Sequence, residues 1–385
     1  MTSGYQPEII QSVFIDFLGA RMLPFWSLTT PKLRLLARYA LSDELVALQF
    51  EVNRAFEQQI LKKEGWQGGQ HLNLSVPIDG IYHQRSYSLV GMPYQPLWWD
   101  TSKSSKRHTL TIALKPQGLV SNYLTKLAPI GSVFGTSRPS GNFVLQSRIL
   151  AAKSSLAKPA PLLCIAGGSG ITPMLGLVTQ ALADGRQVTL LHYNRGSILE
   201  DCWQDLAANY PAFTYYLIDT HDSNTYLANT RHLTAQSLLA LKLPLAETQI
   251  FACGSQTLLA SLYDAASKVA LTNGYDLRDN IVVEHFGSVL SAFDTNDIKS
   301  NAEIHTVYLR MRQQKFNSDN TILNAAEQAG IRMAYGCRQG ICQMCRCNKV
   351  SGVVKNVQSG KVSSDGFESI QTCINMAISD VVLDV

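Results

Sequence analysis

Four cysteines set the tightest limit on what this chain can fold into. Cys337, Cys342, Cys345 and Cys373 stand as C-x4-C-x2-C-x27-C, three on one short loop and the fourth brought in from a distance. This is the spacing of a plant-type [2Fe-2S] centre. Such a loop also needs small residues where backbone N–H groups approach the sulfurs, and Gly336 and Gly340 fall there. A structural zinc site more often pairs its ligands as two C-x2-C knuckles, and only one is present. Cys347 makes a C-x-C pair with Cys345; on a strand the two would point the same way, and Cys347 is read as a packed or partly exposed bystander. Eight cysteines in 385 residues, three of them within nine positions, form a cluster rather than a disulfide framework, which places the chain in a reducing compartment.

A length of 385 residues leaves room for two to three domains with cores of their own. With 46% hydrophobic and 16% charged residues the chain is globular rather than disordered. A net charge of +4, from 33 basic and 29 acidic residues, is too small for the basic stripe of a nucleic-acid binder. No cationic segment opens the chain, and Glu8 and Asp16 interrupt its apolar N-terminal stretch, which speaks against a cleaved signal peptide. The longest uncharged run, Pro159 to Ala183, is broken by Gly167, Gly168, Gly170 and Pro173 into a strand and a helix rather than a membrane span. A soluble, cytoplasmic protein is expected.

Four stretches follow. Residues 1–33 read as an amphipathic helical segment ended by Pro24 and Pro31. Residues 34–150 carry short alternating runs (Gln70–Val76, Arg85–Val90, His108–Leu114, Val133–Ser137) with one helix at Gly118–Leu127, the pattern of an antiparallel β-barrel. From 160 to 288, apolar runs (Leu162–Ala166, Gln187–Tyr193, Phe213–Ile218, Thr248–Ala252) alternate with helical stretches (Thr172–Leu182, Ser197–Ala208, Ser255–Leu271), the signature of an α/β parallel sheet. After the polar linker Ser291–Ala302, residues 302–385 begin with a hairpin and a helix capped by Asn320 or Thr321 that ends at Gly330.

Each of the first two domains carries a candidate site. Arg85-Ser86-Tyr87-Ser88 ends a barrel strand: Arg offers a planar fork for phosphate oxygens, Tyr an aromatic plane for a flavin, and Ser a hydroxyl near the redox nitrogen. Gly118-Leu119-Val120-Ser121 opens a helix whose N–H groups can meet a pyrophosphate, and Gly141-Asn142-Phe143 closes the barrel. Gly118 and Gly141 equally suit plain turns. Gly167-Gly168-Ser169-Gly170-Ile171-Thr172-Pro173 joins a strand to a helix as a phosphate-binding turn, but Pro173 holds the third glycine's place of a G-x-G-x-x-G fingerprint, so the dinucleotide mode differs. Arg195 follows a strand at the carboxyl edge, where a 2′-phosphate or plain solvent would suit it. Cys253-Gly254 ends another strand at the same edge, and a buried inert thiol is the common reading of such a Cys.

Together, Arg85–Ser88, Gly167–Pro173, Cys253-Gly254 and Glu284-His285-Phe286 resemble the ferredoxin-NADP reductase superfamily, and the C-terminal domain looks like a plant-type ferredoxin fused to it. The resemblance covers Arg34 to Val385 and implies a flavin β-barrel, a nucleotide domain and an α+β β-grasp ferredoxin domain. It implies that Arg85, Ser86, Tyr87, Ser88 and Gly118–Ser121 bind FAD, with Ser88 near N5. It implies that Gly168, Gly170, Thr172, Pro173, Arg195, Cys253 and Gly254 bind the nicotinamide dinucleotide, with Cys253 near the hydride path and Phe286 shielding the flavin. Ser88, Cys253 and Phe286 are thereby the catalytic candidates, and Cys337, Cys342, Cys345 and Cys373 the metal ligands. Ser255 stands where relatives often have Pro, and Asn194-Arg195 does not settle NADPH against NADH.

The cysteine loop, Gln371-Thr372-Cys373 and the stretch Pro24-Phe25-Trp26 look most like bacterial reductases of membrane fatty-acyl desaturases. The expected activity is transfer of electrons from NAD(P)H through FAD and the cluster to an oxygenase-type acceptor, a membrane di-iron desaturase or hydroxylase. Residues 1–30 are a candidate contact with the inner face of the membrane. Three rivals stay open: the reductase of a soluble aromatic or steroid oxygenase, the reductase of a hybrid-cluster protein, and a redox-sensing flavin/iron-sulfur protein.

Overall fold

The computed structural model describes residues 16, 18, 19, 22–94, 108–145, 159–196, 198–220, 231–274, 276–285, 304–336, 340, 343–357 and 361–385. Residues 1–15, Phe286, Cys337, Cys342 and the linker Ser291–Ala302 lie outside this set. Two compact units divide the chain, one of Met1–His83 with Tyr87–Phe286, the other of Gln84–Ser86 with Gly287–Val385. No helix among the described residues is long and apolar enough to cross a membrane.

Six antiparallel strands close a barrel in the order β1-β2-β5-β4-β3-β6: β1 Lys32–Ala40, β2 Val46–Val52, β3 His71–Ile78, β4 Ile81–Val90, β5 Thr109–Leu114 and β6 Val133–Thr136. Alternation drives it, with Leu33, Leu35, Phe50, Leu72, Leu74 and Phe134 filling the interior. Strands β1 and β2 form a hairpin, turned at Leu41 to Leu45 by the Leu41 N–H donating to the Leu45 carbonyl at 2.8 Å. Two helical pieces interrupt the strands, α1 (Arg54–Phe56) and α2 (Leu119–Asn122), and each runs on into one wider, π-type turn.

The second domain is a wholly parallel sheet ordered β11-β10-β7-β8-β9, from β7 Leu162–Gly167, β8 Val188–Asn194, β9 Phe213–Asp219, β10 Gln249–Gly254 and β11 Ile281–His285. Its helices are α3 (Ile171–Ala183), α4 (Glu200–Asn209), α5 (Ala235–Ala240) and α6 (Gln256–Asn273). Central strand β7 shows why its sequence is a continuous apolar run. Leu162, Cys164 and Ala166 pack with Met174, Leu177 and Val178 of α3, while Leu163 and Ile165 pack with Leu259, Leu262 and Ala266 of α6.

Barrel and sheet meet where α3 crosses the loop before β3. The Gly68 N–H donates to Gln180 Oε1 at 2.8 Å, and a Cβ on Gly68 would overlap the carbonyl oxygen of Gly176. Phe143, read as closing the barrel, stacks edge-on against Phe251 of β10 at 5.1 Å between ring centres, so this segment also ties the barrel to the sheet.

The C-terminal unit holds β12 (His305–Leu309), β13 (Gln314–Ser318), α7 (Ile322–Gln328), β14 (Arg346–Ser351), β15 (Val354–Asn356), β16 (Glu368–Gln371), β17 (Asn375–Ala377) and β18 (Val381–Asp384). Five strands form a mixed sheet ordered β13-β12-β18-β14-β16, parallel only at β12–β18. Ile322, Leu323, Ala325 and Ala326 of α7 share one core with Val307, Phe316, Val381 and Leu383. The buried ammonium of Lys349 donates to the carbonyls of Gly352, Ser364 and Gly366 at 2.8, 3.0 and 2.6 Å, which satisfies all three of its protons.

Candidate functional site

On the barrel, Arg85 to Ser88 occupy the second half of β4. Arg85 is exposed, Ser86 and Tyr87 are half-buried, and Tyr87 rests on the barrel core. Ser88 is 3% exposed, and its Oγ finds no hydrogen-bond partner among the described residues. A buried hydroxyl without a partner costs about 1–3 kcal/mol, so a ligand atom at this position would relieve it. That suits a flavin heteroatom.

At the start of α2, the Ser121 hydroxyl accepts from the N–H groups of Gln117 and Gly118 at 3.1 and 2.9 Å. The donors left for a phosphate are therefore those of the following first-turn residues, Leu119 and Val120. Gly118 itself is not strained, at φ −129°, and a Cβ there would meet only the Ser121 hydroxyl at 3.9 Å.

The glycine turn after β7 is built by backbone packing. Gly168 takes φ +54°, a conformation glycine adopts at little cost. A Cβ on Gly170 would overlap the Cys253 carbonyl oxygen, and one on Gly254 would stand 3.0 Å from Gly167 Cα. The ends of β7 and β10 thus approach as only glycines allow, and α3 starts at Ile171 directly beyond. Thr172 is buried and donates its hydroxyl to the Ser169 carbonyl at 3.1 Å, while Pro173 sits buried in the first turn.

A cavity of ≈ 430 Å³ opens at this carboxyl edge. Gly168, Arg195 and Gly254 line it, whereas Gly170, Thr172, Pro173 and Cys253 do not. Its wall also includes Ser169, Asn194, Ser255 and Arg231, of which Arg231 carries no sequence motif that would single it out. Beneath the turn, His192 is fully buried; burial pushes its imidazole down to about 4, so it brings no positive charge to the cavity.

Cys253 is fully buried in the core shared by β7, β10 and α3. Burial first, and the neighbouring Glu284 second, hold its thiol well above the ordinary cysteine range. It is a packed thiol rather than a thiolate. Glu284, opposite Cys253 in the β10–β11 register, is 5% exposed. Burial pushes its carboxyl up to about 8, and the His71 imidazole from β3 stands 3.7 Å from it, too far for a hydrogen bond. A Cβ on Gly141, which has φ +121°, would lie 2.9 Å from His71 Nδ1, so this glycine makes room for the imidazole. Glu284 belongs to the Glu284-His285-Phe286 ending, in which only Phe286 was given a role, and His71 sits in no recognisable spacing.

In the C-terminal unit Cys345 and Cys373 are each 4% exposed, with sulfurs 3.1 Å apart and no bond between them. The Thr372 N–H donates to the Cys345 carbonyl at 3.1 Å, and Gln371 Nε2 to the Gly340 carbonyl at 2.6 Å, so both segments are tied to one loop. Two buried sulfurs held face to face fit ligands of a shared cationic centre; as thiolates without one they would repel. Cys347 is half-buried on β14, opposite Ile370.

Two domain families match the chain. Residues 164–263 match an oxidoreductase NAD-binding domain, and residues 308–374 a 2Fe-2S iron-sulfur cluster binding domain. An NADPH oxidoreductase of Mycobacterium tuberculosis is 27% identical over 343 residues, 84% of this chain and 79% of the relative. The ferredoxin reductase component of a 3-ketosteroid-9-alpha-monooxygenase, from the same species, is 28% identical over 74% of this chain and 75% of its own length. Phthalate dioxygenase reductase shares the fold at a TM-score of 0.52 and 20% identity, covering 92% of this chain and 97% of that one. An intact type IV self-sufficient cytochrome P450 monooxygenase shares it at 0.62 and 20% identity; the match covers 92% of this chain, which spans about two fifths (41%) of that longer one.

Proposed function

We propose that this chain, an oxidoreductase of the ferredoxin reductase family with an NAD-binding and a 2Fe-2S domain, passes electrons from NAD(P)H to an oxygenase-type acceptor. The observation that carries this reading is the succession, in one chain, of an antiparallel barrel, a parallel sheet with a glycine turn, and a loop presenting paired buried cysteines. When bound, FAD would take one hydride, with its two electrons, from the nicotinamide and hand the electrons singly to the iron-sulfur centre.

The chain's own part is to hold and position. Arg85, Ser86, Tyr87, Ser88 and Gly118–Ser121 would hold FAD, with the Ser88 hydroxyl as donor to the ring. Gly168 and Gly254 would admit the dinucleotide backbone, with Arg195 at its ribose; Gly170, Thr172 and Pro173 would shape the turn from within. Cys253 would act by packing, since its thiol is protonated. Phe286, outside the described residues, would cover the flavin, and Cys337, Cys342, Cys345 and Cys373 would ligate the cluster.

An oxygenase acceptor is supported by the steroid monooxygenase relative, which is named as a reductase component. The narrower acceptor, a membrane di-iron desaturase met from the cytoplasm with contact through residues 1–30, rests on the likeness of the cysteine loop and Pro24–Trp26. Anaerobic titration with NADPH tests the core of the proposal. Flavin bands and a broad iron-sulfur envelope should both bleach; a flavin that bleaches beside a cluster that never does would overturn it. Mixing the reduced protein with a vesicle-embedded desaturase or a soluble oxygenase component would then separate the acceptors.

A further inference from the structure

We propose that the surface around the cysteine loop is a basic docking face, and that the electron acceptor meets it with an acidic patch. This rests on the reductase reading above and extends it to the chemistry of the partner. In that reading electrons leave the chain at the cysteine loop, so an acceptor has to come close to it. What the acceptor meets there is set by the placement of charge rather than by its total. Residues 328–364, which contain the loop, hold six basic residues and no aspartate or glutamate, although the whole chain exceeds neutrality by only four. Opposite charge on a partner speeds its encounter with such a surface and fixes its orientation.

Arg332 precedes the loop and Arg346 follows it, and both are exposed, as are Tyr335 and Met344. Arginine, aromatic residues and methionine are the types that protein interfaces favour. Arg312, in the turn between β12 and β13, donates to the Arg332 carbonyl and adds a further guanidinium beside that residue. Arg346 Nε donates to Ser369 Oγ at 2.6 Å and its Nη1 to Gln343 Oε1 at 3.3 Å. Both partners are neutral, and Gln343 stands between Cys342 and Cys345, so this guanidinium is pinned at the loop with its charge uncompensated. Neither Arg332 nor Arg346 has an acidic partner among the described residues. A cavity of ≈ 330 Å³ opens beside Arg346, with Lys361 and Glu368 as its other charged lining. Gln371 is also in its wall and donates Nε2 to the Gly340 carbonyl, which ties the cavity to the loop. Two cations against one acid leave a place for one carboxylate from a partner.

The test uses the full protein reduced by NADPH, with cytochrome b5 as an acidic one-electron acceptor and cytochrome c as a basic one. Raising the salt from about 0.01 M to about 0.1 M shortens the Debye length from roughly 30 Å to roughly 10 Å. The rate constant for cytochrome b5 should then fall on the order of tenfold, while that for cytochrome c should hold or rise. Calorimetry with both proteins oxidised, where no electron moves, should show cytochrome b5 binding at low salt. Arg332→Glu combined with Arg346→Glu should abolish that binding while NADPH still reduces flavin and cluster. The salt profile needs no variant, so it decides even where the double variant does not fold. Cytochrome b5 reduction indifferent to salt, with no binding by calorimetry, overturns the proposal and leaves the reductase reading standing. A double variant that slows cluster reduction by NADPH as much as it slows cytochrome b5 would assign the patch to the chain's own flavin half and overturn the proposal. Sedimentation with phosphatidylserine vesicles, in place of cytochrome b5 binding, would assign it to a membrane and overturn the proposal too. A cluster that NADPH never reduces overturns the reductase reading and this inference with it.

Discussion

Glu284 owes its protonation state to burial. Desolvation disfavours the carboxylate, and the His71 imidazole at 3.7 Å makes no hydrogen bond to it, so the group titrates at about 8 in the folded chain against an ordinary value near 4.5. The folded state then holds this proton more tightly than the unfolded chain. The stability it contributes is complete below the unfolded value and is lost as pH rises toward 8. Glu284→Gln keeps the shape and removes the titration. In urea denaturation the variant should gain on the wild type as pH goes from 5 to 8, by at most about 1.4 kcal/mol per pH unit. A difference that stays constant with pH would mean that the carboxyl is ionised in the fold.

At the level of elements, glycines divide into those where a Cβ would strike a neighbouring backbone and those with open space around them. Gly170 belongs to the first kind, since any Cβ there overlaps the Cys253 carbonyl; Gly118 belongs to the second, at an ordinary φ with open space around it. Gly170→Ala should cost about 3 kcal/mol or more of stability. Gly118→Ala should stay within about 1 kcal/mol in the same thermal melts and show any effect as lost FAD content. Equal melting temperatures for the two variants would contradict this division. The glycine turn was legible in the sequence because a strand, three glycines and a helix follow one another within a few residues. The alternation of β7 to α6 was equally plain, since strands buried on both faces read as unbroken apolar runs. What escaped was set by tertiary context. Strand β4 starts at Ile81, before the Arg85 expected, because Ile81 and Tyr82 are exposed and break the alternation. Helix α4 starts at Glu200 rather than Ser197, behind a left-handed Leu199. The approach of His71 to Glu284 joins distant strands, which no local pattern encodes.

Across the whole molecule, the hydride-handling and cluster-bearing parts have separate hydrophobic cores. Barrel and nucleotide sheet share interlocked packing through Gly68, Gly176 and Phe143, whereas the C-terminal unit closes its own core around α7 and β18. A lesion at the cysteines should therefore leave the first part folded and working. Cys373→Ser removes one of two sulfurs that face each other at 3.1 Å, whereas Cys347 lies on β14 opposite Ile370. In Cys373→Ser, NADPH should still bleach the flavin and reduce ferricyanide, while the iron-sulfur absorbance and reduction of cytochrome c through the cluster are lost. Cys347→Ser should keep all four. If Cys347→Ser lost the cluster and Cys373→Ser kept it, the ligand set would be wrong. If Cys373→Ser also lost ferricyanide reduction while retaining FAD, the flavin half would depend on the cluster domain, and the two cores would not be functionally separable.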